Sequence, residues 1–389
     1  MGQGICVMDI LNLLHVPLST AVFYAIPFLI ALTIIVFIHE LGHYLVARWC
    51  GVDVESFSIG FGREIYGWYD KNGTRWKVAW IPLGGYVKFK GDANAASLPS
   101  ADAVAEARLD PGNFHGKPVW QRAAVVAAGP VANFLLAIAI FTALFMTVGA
   151  PVMEPRVDEV LPGSAAERAG IRKGDIIVSI DGKEIEDFSQ LQQAVITRAG
   201  EELTVTIDRN GERLSLPIVP DLKEEPDNFG GTMRIGLLGV RNNPGGPVRY
   251  EQMGPVQALE RGMDRTWFIV SSTLGYVGKL FSGRESADQL GGPISIAKAA
   301  GDAASLGLFQ FVTVLAFLSV SIGLINLFPI PMLDGGHLVY YAIEAVRGKP
   351  LGENAQEWGF RIGFSLVIML MLVGTWNDLV RVATVWLGG

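Results

Sequence analysis

Apolar residues in this chain gather into long blocks separated by stretches of mixed polarity. A helix needs roughly 20 mostly apolar residues to cross a bilayer, and four blocks meet that length: residues 21–47, 123–148, 306–330 and 359–379. A shorter block, residues 267–281, carries Lys279 and reads as an amphipathic helix lying on a membrane surface rather than a fifth span. Between the first two spans the pattern changes. SFSIGFG, REIYGWYD, TRWKVAWIPL and GYVKFKG mix Gly, aromatic and β-branched residues, and they predict short strands with Lys71-Asn72-Gly73 as a hairpin turn. Residues 91–118 read as a loop. Residues 151–245 have the character of a soluble module: a strand at 156–160, a helix near 189–199, and strands in ELTVTIDRNG and RLSLPIVP. Residues 250–296 predict surface helices.

Composition agrees with the blocks. Of the 389 residues 50% are apolar and only 18% are charged, and mean hydropathy is +0.35. A net charge of −7 gives no support to a nucleic-acid partner. Residues 1–21 contain no Lys or Arg, so no signal-peptide n-region is expected and the first block reads as a retained span. Basic residues then orient the chain. Arg48, Arg63, Lys71, Arg75, Lys77, Lys88 and Lys90 follow the first span, which puts residues 51–119 in the cytoplasm. Both termini and residues 149–305 then lie outside, and the loop with Arg347 and Lys349 lies inside. Cys6 and Cys50 flank the first span and cannot pair across it; they read as inert thiols.

His39-Glu40-Leu41-Gly42-His43 ends the first span. Two histidines four apart share one helix face and can hold one Zn²⁺, with Glu40 beside them as a general base. Such a cluster is costly in a membrane unless it is paired or liganded. A catalytic zinc takes three protein ligands and keeps a fourth position open. Nothing suitable follows the motif closely, since Asp53 and Glu55 come after a turn at Gly51. His15 is expected outside and His115 in a cytoplasmic loop. Asp334 and His337 both sit at the inner end of the third span, at the depth of the motif. Pro329, Pro331 and Gly335-Gly336 break the helix there and free a side chain to enter a cavity, which favours Asp334.

HELGH in a first span, Gly129-Pro130-Val131-Ala132-Asn133 in a second and NLFPIPMLDG after a third resemble the site-2 protease family, and within it the regulator-of-sigma-E protease branch. The resemblance runs over nearly the whole chain. It implies one Zn²⁺ per chain on His39, His43 and Asp334, Glu40 as catalytic acid and base, and Asn326 holding the substrate backbone. It brings Asn133 to the site from the second span; binding substrate and joining helices are both open to it. It also implies a membrane-associated β-element near the site; pairing its edge with an extended substrate and simply covering the site are both open to it. PGSAAERAGIRKGDIIVSIDG resembles a PDZ domain. In the circularly permuted form of that fold the peptide-binding strand comes last, which points to Ile235, Gly236, Leu237, Leu238, Gly239 and Val240. The branch's best-known member carries two such domains in tandem, and this chain shows one.

The expected fold is a polytopic α-helical membrane protein with four transmembrane helices, a cytoplasmic membrane-associated β-element and one inserted extracytoplasmic PDZ domain. Its segments are 1–50 (first span), 51–119 (β-element and loop), 120–150 (second span), 151–245 (PDZ), 246–305 (surface helices) and 306–389 (third and fourth spans). The resemblance implies an intramembrane zinc endopeptidase of a bacterial inner membrane. Its substrates would be single-span proteins trimmed beforehand by a site-1-type protease: anti-sigma factors and leftover signal peptides. Its other partner is the lipid bilayer. The rivals are a catalytically inactive PDZ-bearing scaffold, which needs no HExxH, and a metal transporter, for which the chain lacks internal repeats.

Overall fold

The computed structural model describes residues 18–91, 107, 109–152, 154–185, 187–196, 198–226, 232–242, 249–283 and 291–387. Cys6, His15 and most of the loop before Leu109 lie outside these. The helices are α1 (Leu18–Trp49), α2 (Val119–Thr147), α3 (Ala165–Arg168), α4 (Phe188–Ile196), α5 (Pro255–Phe281), α6 (Pro293–Ser305), α7 (Leu308–Asn326), α8 (Asp334–Arg347) and α9 (Glu353–Leu387). The strands are β1 (Val54–Tyr69), β2 (Arg75–Phe89), β3 (Ala150–Val152), β4 (Glu159–Val160), β5 (Ile176–Ile180), β6 (Lys183–Glu184), β7 (Leu203–Arg209), β8 (Glu212–Ile218), β9 (Asp221–Pro226), β10 (Thr232–Leu237), β11 (Val240–Arg241) and β12 (Arg249–Glu251). They form two compact units, one made of residues up to Thr142 and from Leu259 onward, the other of Ala143–Ala258.

In the first unit four helices are long and apolar enough to cross a membrane: Val22–Trp49 in α1, all of α2, all of α7, and Asn354–Ala383 in α9. Helix α2 is the most enclosed, with 44% of its apolar window buried against 11% for α9. Small residues let its neighbours come close, as expected where lipid supplies no hydrophobic drive between helices. A Cβ on Gly42 of α1 would overlap the Ala128 carbonyl of α2, and one on Gly323 of α7 would stand 3.1 Å from both Asn133 Cβ and the Pro130 oxygen. The block expected at 267–281 is the second half of the 27-residue α5, which is not among the candidate spans. Its Ala258, Thr266 and Ile269 are buried, whereas Val256, Leu259, Met263, Trp267 and Leu274 form an exposed apolar stripe. Helix α6 is capped from α9, where buried Asp378 accepts the backbone N–H groups of Gly292, Ile294 and Ser295.

The β-element differs from the expected string of short strands. β1 and β2 are each continuous. β1 bends at Gly60 and Gly62, whose φ values of 89° and 90° suit glycine alone. Its halves take different partners: residues 56–59 lie between 85–88 and 75–78, while 64–69 pair with 75–79. The turn at 71–73 forms as expected and is tied to α1. Asp70 accepts from Tyr44 Oη (2.7 Å), Trp76 Nε1 (3.1 Å) and the Asn72 and Thr74 N–H groups. Burial pushes the Asp70 carboxyl up, and these bonds outweigh it and hold it below the usual range.

In the second unit a sheet of order β6-β5-β7-β8 packs with α4 around Val157, Ile177, Leu191, Leu203, Val205 and Ile207. Ser164 caps α3 by accepting the Glu167 N–H, and Glu167 returns to the Gly163 N–H, a pairing the PGSAAER stretch announces. The strand expected at 156–160 shrinks to β4, with Arg156 as an isolated bridge to Ile176. Asp175, 2% exposed, accepts a two-point bond from Arg209 and the Arg172 N–H.

Candidate metal centre

His39 and His43 are one turn apart near the end of α1, both buried, with Nε2 atoms 3.2 Å apart. Asp334 arrives from the far end of the chain. Its Oδ2 stands 3.1 Å from His39 Nε2 and 3.7 Å from His43 Nε2. Two donors of a tetrahedral zinc, each 2.0–2.1 Å from the ion, stand about 3.3 Å apart. The three separations bracket that edge, so the donor set fits the ion in spacing and in chemistry. These three residues are the group among the described ones whose ligand atoms converge within 4.8 Å.

The turn that delivers Asp334 depends on bare backbone. A Cβ on Gly335 would overlap the Leu327 and Phe328 carbonyls, and one on Gly336 the Ile330 carbonyl. Met332 holds φ at 149°, a value that L-residues rarely take, and α8 opens at Asp334 itself. A carboxylate in the first turn of a helix also gains from the helix dipole. On the other side Gly129 of α2 faces the two rings, and any Cβ there would overlap His43 Nε2.

A cavity of about 500 Å³ opens on His39, His43 and Asp334. Glu40 lines it, as does Val87 of β2. Gly85 closes against Glu40 Cγ. Residues 84–87 of β2 thus form one wall, and Asn326, the last residue of α7, forms part of another. The two asparagines expected at the site part company here. Asn133 is fully buried, with its amide 3.2 Å from His39 Nδ1.

Two features were not expected from the sequence, the place of His115 and the pairing of Arg122 with Glu344. His115, expected in an open loop, is buried in the cavity wall, and so near the motif only in space. His337 also lines the cavity, as its position one turn after Asp334 allows. Arg122 and Glu344 form a buried ion pair of 2.6 Å joining the start of α2 to α8. A charged residue at the mouth of an apolar block was the available signal for that pair.

In the second unit the run expected to bind peptide spans a strand, a short loop and the start of the next strand. β10 stops at Leu237, Leu238 is in the core, and Val240 starts β11 against β4. Gly239 (φ 78°) packs on Ser164, and a Cβ on Gly236 would overlap the Val195 carbonyl of α4. Ile235 lies in β10; its side chain is outside the described set.

The chain matches the model of "Peptidase family M50" over residues 27–370. It is 50% identical over 361 residues to "Putative zinc metalloprotease R01501" of Rhizobium meliloti, covering 92% of this chain and 96% of that one. It is 48% identical over 359 residues to "Putative zinc metalloprotease Atu1380" of Agrobacterium fabrum, covering 92% and 95%. It is 42% identical over 378 residues to "Metalloprotease MmpA" of Caulobacter vibrioides, covering 91% and 94%. A solved HtrA3 PDZ domain bound to a phage-derived ligand is 39% identical over 17% of this chain and 62% of that one, with a TM-score of 0.16.

Proposed function

From the premise that this chain belongs to peptidase family M50 and is a membrane zinc metalloprotease, we propose that it cuts single-span membrane proteins inside the bilayer, with Glu40 as catalytic residue and His39, His43 and Asp334 as the zinc ligands. The observation that carries this reading is the meeting of Nε2, Nε2 and Oδ2 from opposite ends of the chain at zinc-like spacings, with Glu40 in the same cavity.

When bound, Zn²⁺ supplies Lewis acidity toward water and the scissile carbonyl. Glu40 takes a proton from the attacking water as its oxygen bonds to the carbonyl carbon, then gives that proton to the amine nitrogen as the C–N bond breaks. An extended substrate is held along residues 84–87 of β2, whose edge offers backbone donors and acceptors, and by the Asn326 amide. Unwinding of the substrate is required, because a helical peptide has no free carbonyl to present and a dry cavity punishes unpaired backbone.

The Lys/Arg distribution supports a cytoplasmic β-element, with the unit Ala143–Ala258 and both termini outside, in a bacterial inner membrane. PGSAAERAG and the sheet arrangement support that unit as an inserted PDZ domain, acting on substrate ectodomains after a site-1-type protease has trimmed them.

The test uses the purified full chain with a single-span model substrate. Wild type should cleave, Glu40→Gln should fall to background while keeping zinc, and chelation should abolish cleavage until zinc is returned. Equal cleavage by wild type and Glu40→Gln, with zinc bound, would sink the reading.

A further inference from the structure

Both histidines offer Nε2 to the metal position, and both turn their other ring nitrogen toward α2. His43 Nδ1 stands 2.8 Å from the Val125 carbonyl oxygen. A carbonyl oxygen only accepts, so this Nδ1 carries the proton and Nε2 keeps its bare lone pair. His39 needs the same tautomer to offer Nε2. Its Nδ1 proton then needs an acceptor, and the group at that place is the Asn133 side-chain amide, 3.2 Å away.

An amide NH₂ cannot accept a proton, whereas the amide oxygen can. The two ends of the group have nearly the same shape, and a half-turn exchanges them. With Nδ2 toward His39, donor faces donor, and the buried Asn133 Oδ1 has no hydrogen-bond partner among the described residues. With Oδ1 toward His39, the ring proton is accepted. We propose that Asn133 is a positioning residue for His39: its Oδ1 accepts the Nδ1 proton and so fixes the tautomer and ring angle at which Nε2 meets zinc.

The surroundings hold the amide in place rather than opening it to a substrate. Asn133 is fully buried. Its backbone carbonyl accepts from Ser319 Oγ of α7 at 2.8 Å, and Gly323 brings α7 against its Cβ. The two histidines thus have matched outer partners eight residues apart on one helix, one a backbone carbonyl and the other a side-chain amide. Asn326 keeps the substrate role alone.

This assignment rests on the zinc site proposed above, and the experiment separates the two. Equilibrium zinc affinity is measured by chelator competition on the purified full chain, together with the Co²⁺-substituted absorption spectrum. Asn133→Leu has similar volume and no acceptor. It should bind zinc about 10–100-fold more weakly than wild type and shift the cobalt bands. Asn133→Asp keeps an acceptor and should hold zinc at least as tightly as wild type. Ser319→Ala loosens the packing around Asn133 without touching His39, and should leave zinc affinity unchanged. At saturating zinc, KM for the model substrate should not move in Asn133→Leu. Wild-type zinc affinity with a raised KM in Asn133→Leu would overturn the assignment in favour of substrate binding. Equal losses in the Leu, Asp and Ser319→Ala variants would overturn it in favour of helix packing. If His43→Ala binds zinc as wild type does, the metal site itself falls, and the role of Asn133 falls with it.

Discussion

In the unit Ala143–Ala258, Val157, Ile177, Leu203, Val205 and Ile207 are sealed from solvent, and Arg168, Arg198 and Arg241 lie outside. In the unit of the four long helices the arrangement is turned over. Ile26 and Ile30 on α1 and Ile362, Met369 and Leu372 on α9 face outward, while His39, His43, Asn133, Arg122 and Glu344 are buried. The first pattern is a fold in water, where apolar burial is the main drive. The second is a fold in lipid, where tails accept leucine as readily as a core does and polar groups are what must be hidden and paired. Chemistry follows the difference. Among the described residues the small unit buries only Ser164 and Asp175 of its polar side chains, each with a structural partner, whereas the helical unit buries a donor set.

The strongest way to break this comparison is at Arg122 and Glu344. Arg122→Met leaves Glu344 charged and alone in a dry place, and should cost about 3–5 kcal/mol. Removing both charges with Arg122→Met and Glu344→Leu should recover most of that in a double-mutant cycle on unfolding in detergent. Single variants as stable as wild type would mean that the pair is wetter than its burial implies. Next in size is the core of the small unit. Leu203→Ala should cost it about 2–5 kcal/mol, read as faster hydrogen exchange of β5 and β7 in the full chain. Met369→Ala, on an outward face of α9, should shift stability little, because no packed cavity opens. Similar costs at the two positions would erase the contrast.

The smallest effect sharpens it. Burial pushes the Asp175 carboxyl up, but the Arg209 guanidinium and the Arg172 N–H outweigh that and hold it below the usual range. A carboxyl depressed on folding lends stability above its unfolded pKa of about 3.9 and withdraws it as pH falls through the folded value. Protection of the β5 and β7 amides, taken relative to the intrinsic exchange rate at each pH, should therefore fall below about pH 4. Asp175→Asn should flatten that dependence and cost about 2 kcal/mol at neutral pH. An unchanged acid profile in the variant would show that Asp175 does not carry it.

The four apolar helices were legible because lipid tolerates few interruptions; three blocks end within about four residues of their helices, and the fourth lies inside the longer α9. The convergence of His39, His43 and Asp334, the ligands proposed above, could be expected because spacing within a helix and depth across a membrane are both sequence properties. They place His39 over His43 and bring Asp334 to the same level. What faces what across helices was not legible. Nothing along the chain says that Asn133 meets His39 rather than the cavity, because that depends on the rotation of α2 against α1, set by Gly42 against Ala128. The doubling of β1 was hidden for a similar reason. Gly60 and Gly62 read as ends of short strands, and only the pairing of residues 56–59 on both sides shows that they are bends within one.

Asp334 enters from the opposite end of the chain to His39 and His43. A ribosome finishes α1 long before it reaches α8. Until the third apolar block is made, the growing chain has the two imidazoles of His39 and His43 without the Asp334 carboxylate beside them. The three converging side chains come from two distant stretches of chain, so a chain that stops short of Asp334 cannot bring them together.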